Sequence, residues 1–469
     1  TIRNLRAGEK KYPFGGRCSK FTNSRRRRSS VEATDYVQKR TDMLFGEFAP
    51  SREQLACGDL SVGIPMAFSV HSLWPLYAWF FHSLGVRVIP SEKILPDGIA
   101  RVESNYCFPS EIAHGALQDI LNRHPDFIFL PFLKKMPSHE EAPVHATVCP
   151  LTQGMPFFLK QAFNLQEDRI LRPVVNLKNT LEDASDEFAR VAVQLGRSAE
   201  DGARAYRRGV QEYRRFLAAY RQLGNEVLQH IAAHPDEKFV CLLGRPYNAF
   251  TRDANMGIPR KLVSNGVSVI PFDMIYHPDA EIYPNMYWHY GQQDMKAVRR
   301  CTDMDNLYPV WISNFSCAPD SFMLHYLRWM MGQKPYLVLE IDSHSADAGI
   351  DTRIEAFLDI IDSYRKAGFH SDVKPHRRRW VVEQKKEFAD IVDTQTGERI
   401  DMRDPRVKFI WSSMGEFSSS AIAAASRKAG IHSMHLPIPD VHTTQLARNV
   451  ASGKECIPSL IVLGGILQF

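Results

Sequence analysis

Cysteine and tryptophan are scarce in this chain, with 8 and 7 among 469 residues. Eight cysteines thinly spread do not make a disulfide scaffold, so each is a buried small hydrophobe, a redox thiol or a metal ligand. No run approaches the 18 or so apolar residues that a membrane span needs, and no charged-then-apolar leader opens the sequence. The expectation is a cytoplasmic protein with no membrane partner. An excess of one charge is also missing: 58 basic against 53 acidic residues leave a formal charge of +5. Nucleic acid is therefore not implied, and the short runs Arg25–Arg28 and Arg377–Arg379 read as solvated faces. The glycine spacings of a dinucleotide fingerprint and of a P-loop are absent, which removes support for NAD and for direct ATP hydrolysis.

What is there is enough apolar material, 44% of residues, for about three cores. Residues 1–58, rich in Arg, Ser and Gly, read as an irregular arm with a helix over Val31–Phe45. Strand signals at Ser61–Pro65 and Val86–Pro90 flank a helical stretch Ser69–Leu84 that Gly85 stops. A helix Ser110–Asn122, strands Phe127–Pro131 and Ala146–Val148, and a helix Pro156–Phe163 continue the alternation over 59–180. Residues 181–237 form a charge-rich helical bridge. A second α/β unit over 238–370 has strands Phe239–Gly244, Val267–Ile270, Val310–Ile312 and Tyr336–Leu339, with helices Gly257–Asn265 and Asp320–Met331. A third, incomplete unit over 371–469 has Val407–Trp411, a helix Ser418–Lys428 and a strand entering a turn over Leu460–Gly465. That last segment and the initial Thr1 suggest part of a longer chain. Strands alternating with helices predict an α/β fold of parallel sheets covered on both faces.

Four cysteines share a local signature: Cys107-Phe-Pro, Cys149-Pro, Cys317-Ala-Pro and Cys456-Ile-Pro. Proline one or two residues on fits the first turn of a helix, where its missing N–H costs nothing. Loops leaving parallel strands converge on one crevice, and thiols at helix N-termini there are placed to become thiolates and to hold an iron–sulfur cluster. One Cys-Pro alone is a structural turn; four alike point to metal. Cys241 lies in an apolar strand and reads as an inert buried thiol, Cys301 beside two arginines as a surface thiol, and Cys57 as a linker residue. Cys18, between glycines and basic residues, stays undecided.

Glu111 and His114 follow Cys107 on one helix face and are candidates for proton transfer, against the alternative of a satisfied core histidine. Arg245 after its strand, with Gly257 opening the next helix, makes a candidate phosphate or carboxylate cradle, or else a tight turn. The aromatic string Met286–Gly291 reads as packing at a helix start, with a substrate pocket as the alternative.

The segments around Tyr106–Pro109, Ala113–Gly115, Cys149–Pro156, Leu243–Tyr247, Met286–Gly291, Phe315–Asp320 and Gly453–Pro458 resemble the acyl-CoA dehydratase activase-related proteins. These are relatives of 2-hydroxyacyl-CoA dehydratase components and of double-cubane cluster proteins, and the resemblance runs from about Gly15 onward. It implies stacked flavodoxin-like domains and a 4Fe-4S cubane, or part of a double cubane, on Cys107, Cys149 and Cys317 with one iron left open. It also implies that Cys456 starts a second cysteine-bearing domain, and that an ATP-hydrolysing activator supplies electrons. The activator domain that precedes this region in many members is not expected within this sequence. An acyl-CoA substrate and an oligomer follow as expectations. Three functions stay open: an iron–sulfur dehydratase or reductase, a non-catalytic electron carrier or cluster-bearing subunit, and a metal-free CoA- or nucleotide-binding module.

Overall fold

The computed structural model describes residues 33–104, 107–137, 146–276, 283, 285–368, 380–451, 453 and 455–469, together with the backbone of two N-terminal strands. Cys18 and both arginine runs lie outside the described residues. The two strands, β1 (Arg3–Ala7) and β2 (Lys10–Phe14), pair as an antiparallel hairpin. Helix α1 (Tyr36–Asp42) runs on as a π-helical turn over Met43–Glu47, followed by α2 (Arg52–Leu55).

The first sheet is built from β3 (Leu60–Ile64), β4 (Val86–Pro90), β5 (Phe127–Phe129) and β7 (Ile170–Leu171) in the order β4-β3-β5-β7, all parallel. Between β3 and β4 runs α3 (Val70–Ser83), apolar on nearly every side and buried on nearly every side. Helices α4 (Pro96–Ile99) and α5 (Phe108–Leu121) follow β4. Strand β6 (Phe132–Lys135) and helix α6 (Pro150–Phe163) separate β5 from β7, and β8 (Val174–Asn176) pairs with β6. Then come α7 (Ser185–Gln194) and the 35-residue α8 (Ala199–Ala233). Ser198 caps α8, and one side of the helix buries Tyr206, Tyr213, Phe216 and Tyr220.

The second sheet repeats the first. Its strands β9 (Phe239–Leu243), β10 (Ser268–Pro271), β11 (Leu307–Asn314) and β12 (Leu337–Ile341) stand in the order β10-β9-β11-β12, again all parallel. Counted within each unit, both sheets have the strand order 2-1-3-4, the doubly wound pattern of flavodoxin-like folds. Short helices α9 (Pro246–Ala249) and α10 (Arg252–Asn255) precede α11 (Ile258–Ser264); α12 (Phe272–Ile275) and α13 (His289–Asp303) follow β10. Helices α14 (Ala318–Met331) and α15 (Asp347–Lys366) complete the unit. This is the stacked Rossmann-like α/β architecture that the alternation predicts.

Three expectations fail in detail. Residues 146–148 make only isolated bridges, because Val148 leads straight into Cys149 and Pro150, where α6 begins six residues before the expected Pro156. Cys301 is fully buried under the sheet, since its two arginine neighbours point to other faces of α13. The apolar run expected as a strand at the C-terminal end is a helix, α18 (Ile457–Gln468); a short apolar run carries no period to tell the two apart, and Cys456 with Pro458 starts it as a helix. Before it stand an antiparallel sheet of β13 (Trp380–Gln384), β14 (Ala389–Asp393) and β15 (Arg399–Asp401), then a parallel pair of β16 (Phe409–Trp411) and β17 (Ser433–His435) with α16 (Glu416–Lys428) and α17 (Val441–Arg448).

Candidate functional site

Cys107, Cys149 and Cys317 occupy the same local position: each is the N-cap of its helix, α5, α6 and α14, with proline at the first or second helical residue. Proline is tolerated in the first helical turn, where its missing N–H costs nothing, and each cysteine backbone is extended, so each sulfur stands at a helix mouth where several N–H groups have no helical partner. In none of the three does the thiol itself close the cap.

Two tethers between the units bring these mouths together. The Thr147 carbonyl accepts from the His289 N–H at 2.9 Å, and the Thr147 N–H donates to the Tyr287 carbonyl at 3.2 Å, which pins the segment before Cys149 to the start of α13. On α6, the Thr152 hydroxyl donates to the Tyr247 hydroxyl of α9 at 3.3 Å.

At the centre stands Arg245, buried at 3% exposure. It leaves β9 through Gly244, whose φ of 115° and close approach to the Ile312 carbonyl admit no side chain. The guanidinium makes a fork with Asp320, Nη1 to Oδ1 at 2.8 Å and Nη2 to Oδ2 at 3.0 Å, and Nη1 also donates to Cys317 Sγ at 2.7 Å. Ser313 donates to the same carboxylate at 2.6 Å, and Asn314 ties the end of β11 to Asn248 at 2.9 Å. Burial works against the Arg245 charge, and the Asp320 carboxylate together with Cys317, Tyr247 and Cys149 outweighs it.

Cys149 is within electrostatic reach of both Cys107 and Cys317, and Arg245 of all three. Burial pushes the Cys107 thiol up to about 12; the Ser110 N–H and Arg245 pull it down, while Cys149 and Glu111 push it further up. Cys317 is raised by burial too, opposed first by Arg245 and supported by Asp320 and Cys149. At Cys107 and Cys317, then, burial disfavours the thiolate and the Arg245 guanidinium favours it. Among the described residues, no three His, Cys, Asp or Glu side chains are grouped to hold a single metal ion.

Glu111 and His114 diverge in character. Glu111 is buried with Oε2 lacking any hydrogen-bond partner, and it faces Cys107 closely enough to act on its charge. His114 is a core histidine: Nδ1 lies 2.8 Å from the Ser110 carbonyl, and its ring stacks on Phe158 at 5.3 Å, so burial lowers its basicity. Gly257 caps the seven-residue α11 and donates to Asn255; Arg245 turns to Asp320 and Cys317, and no hydrogen bond or ion pair between Arg245 and Gly257 occurs among the described residues. Cys456 repeats the N-cap geometry on α18 and is exposed, while its neighbour Glu455 pairs with His325 of α14. Cys241 is fully buried with its sulfur against Cys301, and Cys57 is exposed.

Sequence reasoning gave no role to Asp320, Asn314 or Tyr247. Asp320 carried a signal, a carboxylate in the first turn of a cysteine-capped helix; the others are placed only by the meeting of two units.

Fold and site define a thiol-bearing junction between two parallel α/β units. Residues 61–275 match the family model described as the CoA enzyme activase uncharacterised domain, which agrees at a coarse level with the activase-related resemblance. The matched stretch contains Cys107, Cys149 and Arg245; Cys317 lies beyond it. No curated protein matches the chain. Among solved structures, the chain is similar to the C-terminal domain of glucosamine-fructose-6-phosphate aminotransferase from Francisella tularensis, at 10% identity over 70% of this chain and 95% of that one, TM-score 0.18. It is also similar to a metal-free mutant periplasmic metal binding protein from Candidatus Liberibacter asiaticus, at 12% identity over 65% and 99%, TM-score 0.20. Neither likeness carries a functional argument. No helix among the described residues is long and apolar enough to cross a membrane.

Proposed function

We propose that Cys107, Cys149 and Cys317 hold an iron–sulfur cluster, and that the chain is a one-electron component of the acyl-CoA dehydratase or reductase type, supplied by a separate ATP-hydrolysing activator. The observation that carries this reading is the meeting of three helix-capping cysteines, from two sheets, around one buried arginine. The donor set suits the group: soft sulfur ligands, open N–H groups at each helix mouth, and a guanidinium that offsets the negative charge of thiolates. Thiols spaced around an arginine, rather than packed for one ion, fit a ligand set separated by an inorganic core. When bound, the cluster supplies one-electron transfer. Arg245 and Asp320 fix the Cys317 helix, and the unpartnered Glu111 oxygen stands near Cys107 as a candidate for proton transfer.

The test is anaerobic reconstitution with iron and sulfide, read as iron per chain and visible absorbance. Cys107→Ser, Cys149→Ser and Cys317→Ser should each bring iron close to background, because a hydroxyl is a poor soft-metal ligand. Cys241→Ala should keep its iron and cost about 1–2 kcal/mol of stability. Equal iron in all four variants refutes the ligand set.

A further inference from the structure

A cavity of about 410 Å³ lies between α8 and α13. This is within the range of small-ligand pockets. It adjoins the cysteine site through Tyr290 and Tyr247, whose ring centroids are 6.4 Å apart. One wall is an aromatic ladder on α8: Tyr213 on Phe216 at 6.1 Å, and Phe216 on Tyr220 at 5.3 Å.

Its charge is lopsided. Arg40, Arg214, Arg221 and Arg300 line it, against the single carboxylate of Asp273. Asp273 is taken up by Arg40 at 2.8 Å and by the Tyr220 hydroxyl at 2.7 Å, and Arg214 is paired with Glu182 at 2.7 Å. Arg221 and Arg300 form no ion pair among the described residues, and Arg300 Nε is buried without a hydrogen-bond partner. Tyr213 also lines the cavity, and its hydroxyl enters no hydrogen bond among the described residues. A buried donor without an acceptor, as at Arg300 Nε, is costly unless something supplies the acceptor.

We propose that this cavity binds a small organic anion made of a planar ring and a phosphate or carboxylate group. The ring lies against the α8 tyrosines, and the anionic group meets Arg221 and Arg300. The inference is independent of the cluster reading: it needs no iron, and it survives if the cysteines prove inert.

The experiment is calorimetric titration of the full chain with two probes, adenosine monophosphate for a phosphate and indole-3-carboxylate for a carboxylate. Adenosine, indole and inorganic phosphate each lack one half of the ligand. At least one probe should bind, about tenfold or more tighter than its own halves, as one charged hydrogen bond warrants. Arg221→Gln combined with Arg300→Gln should weaken it by a further tenfold or more, and Tyr213→Phe by a smaller factor. Arg221 is exposed, so Arg221→Gln alone decides the matter if the double variant does not fold. Absence of binding by both probes, inorganic phosphate binding as well as the whole ligand, or affinity unchanged without the two arginines overturns the proposal.

Discussion

At the scale of single residues, the junction between the two units is held by buried polar groups. Arg40 donates to Asp273 and to the His71 carbonyl, and the His71 ring lies 3.1 Å from the Met66 carbonyl. Burial first and then the Arg40 charge depress His71 from 6.5 to about 4, against the opposing bond to the Met66 carbonyl. The unfolded chain therefore binds a proton between those values that the folded chain refuses. This contribution to stability is complete above pH 6.5 and is lost as pH falls toward 4, by on the order of 3 kcal/mol. His71→Gln keeps a donor for Met66 and removes the titration. Denaturant unfolding at pH 7, 5.5 and 4 should show the parent losing more stability than the variant; two parallel curves would sink the argument.

At the scale of elements, α8 is the piece on which the two units are mounted. Its Gly209 lies against the Leu76 carbonyl of α3 and its Gly224 against the Met274 carbonyl of α12, so close that a β-carbon would overlap either oxygen. Helix propensity favours alanine over glycine by about 1 kcal/mol. Here the backbone clash should win, and Gly209→Ala and Gly224→Ala should both lower the melting temperature. Gly349→Ala in α15, where nothing lies within 4 Å, should leave it unchanged or raise it. The helical character of 181–233 and the α/β alternation around it are legible in the sequence because propensity and period act locally. Which glycines touch which carbonyls is not, since that depends on segments far apart in sequence, such as Gly209 and Leu76. The same limit explains the cysteines. Cys-Pro announces a helix start, but Cys301, flanked by arginines, was expected at the surface and is packed under β9 because the face of a helix, not its neighbours in sequence, decides burial.

At the scale of the whole molecule, residues 36–366 are knitted by α3, α7 and α12 all packing on α8, whereas the main packing recorded for the C-terminal elements is among themselves, α17 on α18 and α16 on β17. The Glu455–His325 pair is a point tether between the two regions. Scanning calorimetry should therefore resolve two transitions, the larger for the paired sheets. A single transition with equal van't Hoff and calorimetric enthalpies would contradict this division. Within the C-terminal region β16, α16 and β17 repeat the opening of each earlier unit, and Cys456 caps the second helix after the second strand, the place Cys107 holds in the first unit.

The shared 2-1-3-4 order of the two sheets makes them copies of one plan, and a plan used twice offers its helix mouths in matching pairs. After the second strand the mouths belong to Cys107 and Trp288; after the third, to Cys149 and Cys317. Three of four corresponding corners carry sulfur and one carries an indole. A plan used twice has thus been made unequal at one corner by a single residue. The sulfur-bearing corners are therefore unequally shared, two in the first unit and one in the second, where Trp288 takes the remaining place.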